Sequence, residues 1–246
     1  MNKQVIYEDW GVVEYGEAWK RQEAVMQQGL AVKAQRFHNK DNAAPDSDTI
    51  ANYLFTCTHP PVYTLGKSGF MENLLINDER LKSLGVAFYK TNRGGDITYH
   101  GPGQLVAYPI LDLEQFYTDL GRYMRSLEEV VIRTIAEYGI TGGRFQGATG
   151  VWIEPDVPGR ARKICAMGVR CSRWITMHGL ALNMNTNLDY FNYIVPCGIT
   201  DKGVTSIEKE LGHPVDEAEV NRYFLDHFAE IFDTETVTGH LAGRHG

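Results

Sequence analysis

Cysteine is scarce in this chain: four residues in 246, Cys57, Cys165, Cys171 and Cys197, with no C-x-x-C pair among them. Thiols so few and so scattered exclude a secreted disulfide scaffold and predict reduced cysteines in a cytoplasmic protein. No window approaches the roughly 20 apolar residues of a membrane span, and no basic start leads into an apolar run. Positive charge is in deficit, with 24 Lys and Arg against 31 Asp and Glu. That balance argues against general nucleic-acid affinity, which rests on neutralising phosphates. The sequence also lacks a G-x-S-x-G elbow, a phosphate-binding G-x-x-x-x-G-K-[ST] or G-x-G-x-x-G loop, and any compact Cys/His set with ligand spacing. A serine hydrolase, a nucleotide loop and a metal site are therefore not expected, and neither is a cofactor.

What remains is enough for a core: 43% of the side chains are hydrophobic and 22% charged, within ordinary globular limits. The expectation is one catalytic domain over 1–246, its core about 5–235, with a Gly/His-rich mobile tail beyond Thr236. Apolar spacing of three to four predicts helices at about 16–37, 119–138 and 216–232, and a short one at 78–84 closed by Gly85. Extended runs at 53–57, 62–65, 86–90, 104–111, 150–154, 163–171 and 175–184 read as strands. Residues 38–49 read as an exposed loop. Strands grouped between helices without strict βαβ alternation predict an α/β or α+β fold, a mixed sheet flanked by helices.

Three local features bear chemistry. Residues 93–104 hold four glycines, Gly94, Gly95, Gly101 and Gly103. Such a loop suits either close backbone approach to a ligand or a plain tight turn. His100 within it suits a structural hydrogen bond or a general base. Cys197 lies between Pro196 and Gly198, flanks that present a side chain at a cleft mouth but are also ordinary turn chemistry. Lys163 opens an apolar strand and either snorkels into water or points into a cleft, where it can activate a thiol. A free thiol of pKa about 8.5 is only about 3% thiolate at pH 7, and lowering it by two units takes about 2.7 kcal/mol. An ammonium at about 4 Å in a partly screened setting offers about 4 kcal/mol. Cys165 and Cys171 share the face of Lys163 by strand parity and read as small core hydrophobes. Between 157 and 188, Arg160, Arg162, Lys163, Arg170 and Arg173 occur with no Asp or Glu, a local positive island.

Six blocks together resemble the lipoyl(octanoyl) transferase family (octanoyl-[acyl-carrier-protein]:protein N-octanoyltransferases): 59–66 (His-Pro-Pro-Val-Tyr-Thr-Leu-Gly), 93–105, 163–170, 178–183, 196–198 and 205–212. They occur in family order and span most of the chain. The resemblance implies a fold similar to lipoate-protein ligase and biotin protein ligase catalytic domains. It implies Cys197 as the carrier of an acyl thioester and Lys163 as the residue that lowers its pKa or takes its proton. It also implies that Arg93, Gly94, Gly95, Asp96, Ile97, Thr98, Tyr99 and His100, with Ala166, Met167 and Gly168 and with Gly179, Leu180 and Ala181, line the acyl-binding site. Asp96 stands where a glutamine is common. The implied donor is octanoyl-acyl carrier protein. The implied acceptors are lipoyl domains of 2-oxoacid dehydrogenases and the glycine cleavage H protein. The arginine island suits either docking of the acidic donor and acceptor proteins or a plain solvated strand edge. An ATP-dependent lipoate-protein ligase, or a non-catalytic carrier-protein binding module, are the alternatives. The ligase would want an Arg-Arg-x-Ser-Gly-Gly-Gly loop.

Overall fold

The computed structural model describes residues 3–38, 49–195 and 202–239. In order, the elements are β1 (Lys3–Val12), α1 (Tyr15–His38), β2 (Asn52–Thr58), β3 (Val62–Leu65), α2 (Asp78–Leu84), β4 (Ala87–Lys90), β5 (Ile97–His100) and β6 (Gln104–Ile110). Then come α3 (Leu120–Ala136), β7 (Gly142–Phe145), β8 (Ala148–Ile153), β9 (Arg162–Ser172), β10 (Ile175–Asn183), β11 (Gly203–Val204), α4 (Ile207–Leu211), α5 (Glu217–Phe232) and β12 (Thr234–Thr238). Among the described residues a mixed sheet runs β12-β1-β2-β6-β10-β9-β8-β7, with β11 beside β9, and a smaller sheet runs β4-β3-β5.

Side-chain alternation sorts the large sheet into two cores. Leu54, Leu105, Ala107, Leu180 and Leu182 face α3 and α5. Their neighbours Phe55, Val106, Tyr108 and Ala181 face Ala18, Val25 and Met26 of α1. Because helices cover both faces, β6 and β10 are buried along their whole length, as strands covered on both faces are. Helix α5 shows the same logic at helical period. Val220, Phe224, Phe228 and Phe232 recur every four residues and are all buried, each contributing roughly 1.5–3 kcal/mol of apolar burial. Asn77, Asp119 and Asp216 cap α2, α3 and α5 by accepting backbone N–H groups, worth about 1 kcal/mol apiece.

The helix at 78–84 and the strand at 62–65 lie where the sequence put them, and the other predicted elements agree to within a few residues. Three readings need correction. β5 sits inside what reads as one glycine loop, because Ile97-Thr98-Tyr99-His100 pairs antiparallel with β3. The expected mobile tail beyond Thr236 begins too early, since β12 continues to Thr238, opposite Tyr7 of β1. The loop expected from 38 starts within α1, which runs through His38; residues 39–48 lie outside the described residues.

Candidate active site

A cavity of about 580 Å³ opens where β5 meets β6, β9 and β10, inside the ~300–1,000 Å³ range of small-molecule sites. Hydrocarbon from Val106, Met124, Met167, Leu180 and Ala181 forms much of its wall, and Tyr15, His100, Tyr108 and His178 add polar edges. The loop 93–96 covers one side. It docks on β9 through the Gly94 N–H, which donates to Val169 O at 2.9 Å. The approach is so close that a Cβ on Gly168 would lie 2.6 Å from Gly94 O. Arg93 is buried and ties the loop down, its Nη2 donating to Thr64 O at 2.7 Å and to Asp96 O at 2.8 Å. Asp96 accepts from Asn73 Nδ2 and from the Ile97 N–H, each at 2.6 Å.

Lys163 reaches this cavity through a slip in register. Along β8, Val151 pairs with Cys165 but the next residue, Trp152, pairs with Lys163. β9 therefore carries an extra residue, and Ile164 and Cys165 both enter the core beneath α3 and α5. This is the signature of a β-bulge. Lys163 is left on the other face, lining the cavity, with its Nζ 4.7 Å from the Trp152 ring centroid. The shared face expected for Lys163, Cys165 and Cys171 is thus wrong, because the bulge breaks the alternation. Buried Glu128 of α3 braces the slip by accepting from the Gly150 N–H at 3.0 Å, and Arg125 and Arg144 in turn hold its carboxylate. Gly150 has φ of 121°, and a Cβ there would meet Cys165 O at 2.5 Å.

Burial favours the neutral forms of the interior histidines and thiols. Burial, followed by the charges of His59 and Arg93, holds His100 well below the usual imidazole range. Burial, then Arg93 and Arg170, brings His178 down to about 3. Burial pushes the Cys57, Cys165 and Cys171 thiols up, which makes each a poor nucleophile. Cys197 lies outside the described residues. The chain on either side of it is anchored. The Val195 N–H donates to Asn73 O at 2.8 Å, and β11 pairs with β9 so that Val204 faces Lys163.

Residues 15–229 match the Lipoyl protein ligase A/B catalytic domain family. An octanoyltransferase of Flavobacterium johnsoniae is 53% identical, over 96% of this chain and 100% of its own length. One of Flavobacterium psychrophilum is 51% identical over 96% and 100%. The chain belongs to the octanoyltransferase family. It is therefore an acyltransferase. A bi-partite lipoate protein ligase of Thermoplasma acidophilum shares the fold, with a TM-score of 0.69 at 13% identity over 99% of this chain and 88% of that one.

In this octanoyltransferase-family chain, Arg93, Gly94, Gly95, Asp96, Ile97, Thr98 and His100 line the cavity together with Lys163, Ala166, Met167, Gly168, Gly179, Leu180 and Ala181. Tyr99 does not. It packs instead in a third core cluster, with Tyr63, Leu65 and Leu81 beneath the small sheet, where its ring stacks on Tyr190 at 4.6 Å. The sequence reading passed over Trp152 and Lys202, which also line the cavity. Lys202 Nζ sits 4.6 Å from the Phe145 ring centroid, and Phe145 is 5.2 Å from Trp152. A cation spaced from aromatics by fold alone leaves no signal in the sequence. The positive island is largely neutralised. Arg160 pairs with Glu154, Arg162 with Glu154 and Glu210, and Arg170 with Glu23. A second cavity of about 550 Å³ shares Phe191, Lys202, Gly203 and Val204 with the first and is also lined by Val195. Among the described residues no His/Cys/Asp/Glu group could hold a metal ion, and no helix is long and apolar enough to cross a membrane.

Proposed function

We propose that the protein transfers an octanoyl group from octanoyl-acyl carrier protein to a lysine of a lipoyl domain, by way of a thioester on Cys197. Lys163 lowers the pKa of that thiol or takes its proton. The Cys197 thiolate attacks the donor carbonyl, and the carrier thiol leaves as the new S–C bond forms. The lysine amine then attacks the enzyme thioester, expels the thiolate and loses a proton, leaving an amide. The donor arrives already activated, so the reaction needs no ATP. The acceptors are lipoyl domains of 2-oxoacid dehydrogenases and the glycine cleavage H protein, and the enzyme works in the cytoplasm as one catalytic domain.

The observation that carries this reading is the position of Lys163 on the wall of a largely apolar cavity, beside the strand on which the chain re-enters at 202–204. Chain continuity adds support. Val195 lines the adjoining cavity, and two residues of chain span at most about 7 Å. The names of the relatives support the acyl group.

Intact mass after incubation with octanoyl-carrier protein tests the reading. One octanoyl adduct should form, and it should be missing in Cys197→Ala. An adduct that survives the substitution, or one that forms only with free octanoate and ATP, overturns the proposal.

A further inference from the structure

We infer that Gln104 and Asn183 are positioning residues, which lock the glycine loop to the Lys163 strand through one buried chain of hydrogen bonds whose protons have a single consistent assignment. Two backbone carbonyls fix that assignment, because a carbonyl oxygen only accepts. Gln104 Nε2 donates to Tyr99 O at 3.1 Å, and Asn183 Nδ2 donates to Thr205 O at 2.9 Å. Both amides are thereby oriented. Asn183 Oδ1 is left to accept the second Gln104 hydrogen, at 2.8 Å. Gln104 Oε1 then faces His100 Nδ1 at 3.0 Å, so Nδ1 carries the imidazole proton. The bare Nε2 accepts from the Thr64 hydroxyl at 3.2 Å, and that hydroxyl oxygen accepts from Arg93 Nη2 at 3.0 Å. At the far end the Thr205 N–H donates to Lys163 O at 2.9 Å.

The chain runs unbroken from the loop arginine to the backbone of Lys163. Thr64, His100, Gln104, Asn183 and Thr205 are all buried. A buried group stripped of its partner keeps its full desolvation cost, so the links hold or fail together. His100 is also closed off as a general base, because its only lone pair is already engaged. Tyr15 stacks on its ring at 5.9 Å, His59 lies edge-on at 5.9 Å, and Arg93 and His178 add their fields. The positioning role rests on the proposed part of Lys163 in acyl transfer; the proton assignment does not.

Two measurements on the full chain test this. In ¹⁵N-histidine-labelled protein, NMR should show His100 with its proton on Nδ1 and no titration from about pH 5.5 to about pH 8.5. A proton on Nε2, or titration in that window, overturns the assignment. Asn183→Asp and Gln104→Glu each replace a required donor by an acceptor at unchanged size. Each should lower kcat for octanoyl transfer by about tenfold or more, with KM for the octanoyl donor held within about twofold. An unchanged kcat in a folded variant, or a loss confined to KM, overturns the positioning role. Where a variant does not fold, the wild-type spectrum still decides. Absence of any octanoyl adduct in wild type would sink the proposed function while leaving the His100 assignment standing.

Discussion

Gly168→Ala tests the contact that builds the cavity wall. Its new methyl would lie 2.6 Å from Gly94 O and 3.2 Å from Arg93 Cδ. Strand β9 resists retreat, since Gly168 is paired with Gly179 of β10 and the strand's start at 162–165 is held by β8. The loop must move instead, and the bond from the Gly94 N–H to Val169 O is lost or lengthened. Overpacking of this kind costs about 1–3 kcal/mol, and the hydrogen bond adds roughly 0.5–1.5 kcal/mol. A destabilisation of about 2–4 kcal/mol follows, or roughly 5–15 °C in Tm at this chain length. Gly94→Ala is the control on the other side of the same contact. Its methyl would come only to 3.4 Å from Val169 O, so its cost should stay below about 1 kcal/mol. Urea unfolding of the two variants, with octanoyl-adduct formation followed by mass, makes the comparison. Gly168→Ala within about 0.5 kcal/mol of wild type, or no less stable than Gly94→Ala, would refute the packing argument.

Two further outcomes are expected. Lys163→Met should slow acylation of Cys197 about thirtyfold near pH 7, the thiolate fraction falling back to that of an ordinary thiol, while far-UV circular dichroism stays native; equal rates across neutral pH would contradict the assigned role. His59, His100 and His178 are all held below the ordinary imidazole range by burial. Above about pH 6.5 neither the folded nor the unfolded chain protonates them. Below it the unfolded chain takes up protons that the fold refuses, and stability falls by up to about 1.4 kcal/mol per pH unit for each histidine. For His178 the loss continues down to about pH 3. The stability gap between wild type and His178→Gln should therefore narrow on acidification from about pH 7 to about pH 5, and a constant gap in urea titrations would contradict the burial argument.

The legible parts of the fold are those whose pattern is local. Apolar residues spaced by three and four mark α3 and α5, and short, mostly apolar runs mark β6 and β10. β12 lies at the sheet edge and pairs with β1 from the opposite end of the chain, and both strands are partly exposed, so neither shows a clear period. β5 is masked by the glycines on either side of it. At the site, the glycine loop, Lys163 and the 179–181 strand were legible through their resemblance to a family. The face of Lys163 was not, because the register slip depends on Gly150 and Glu128, which belong to other elements. The arginine island misled for a related reason: Glu23, Glu154 and Glu210 neutralise it from outside the segment.

The extra residue in β9 also decides where a charge can sit. It lets the adjacent Ile164 and Cys165 share the helical core while Lys163 and Ala166, three apart, both line the cavity. Unbroken alternation from 163 to 166 would instead put Lys163 on the face of Cys165 and drive an ammonium into hydrocarbon.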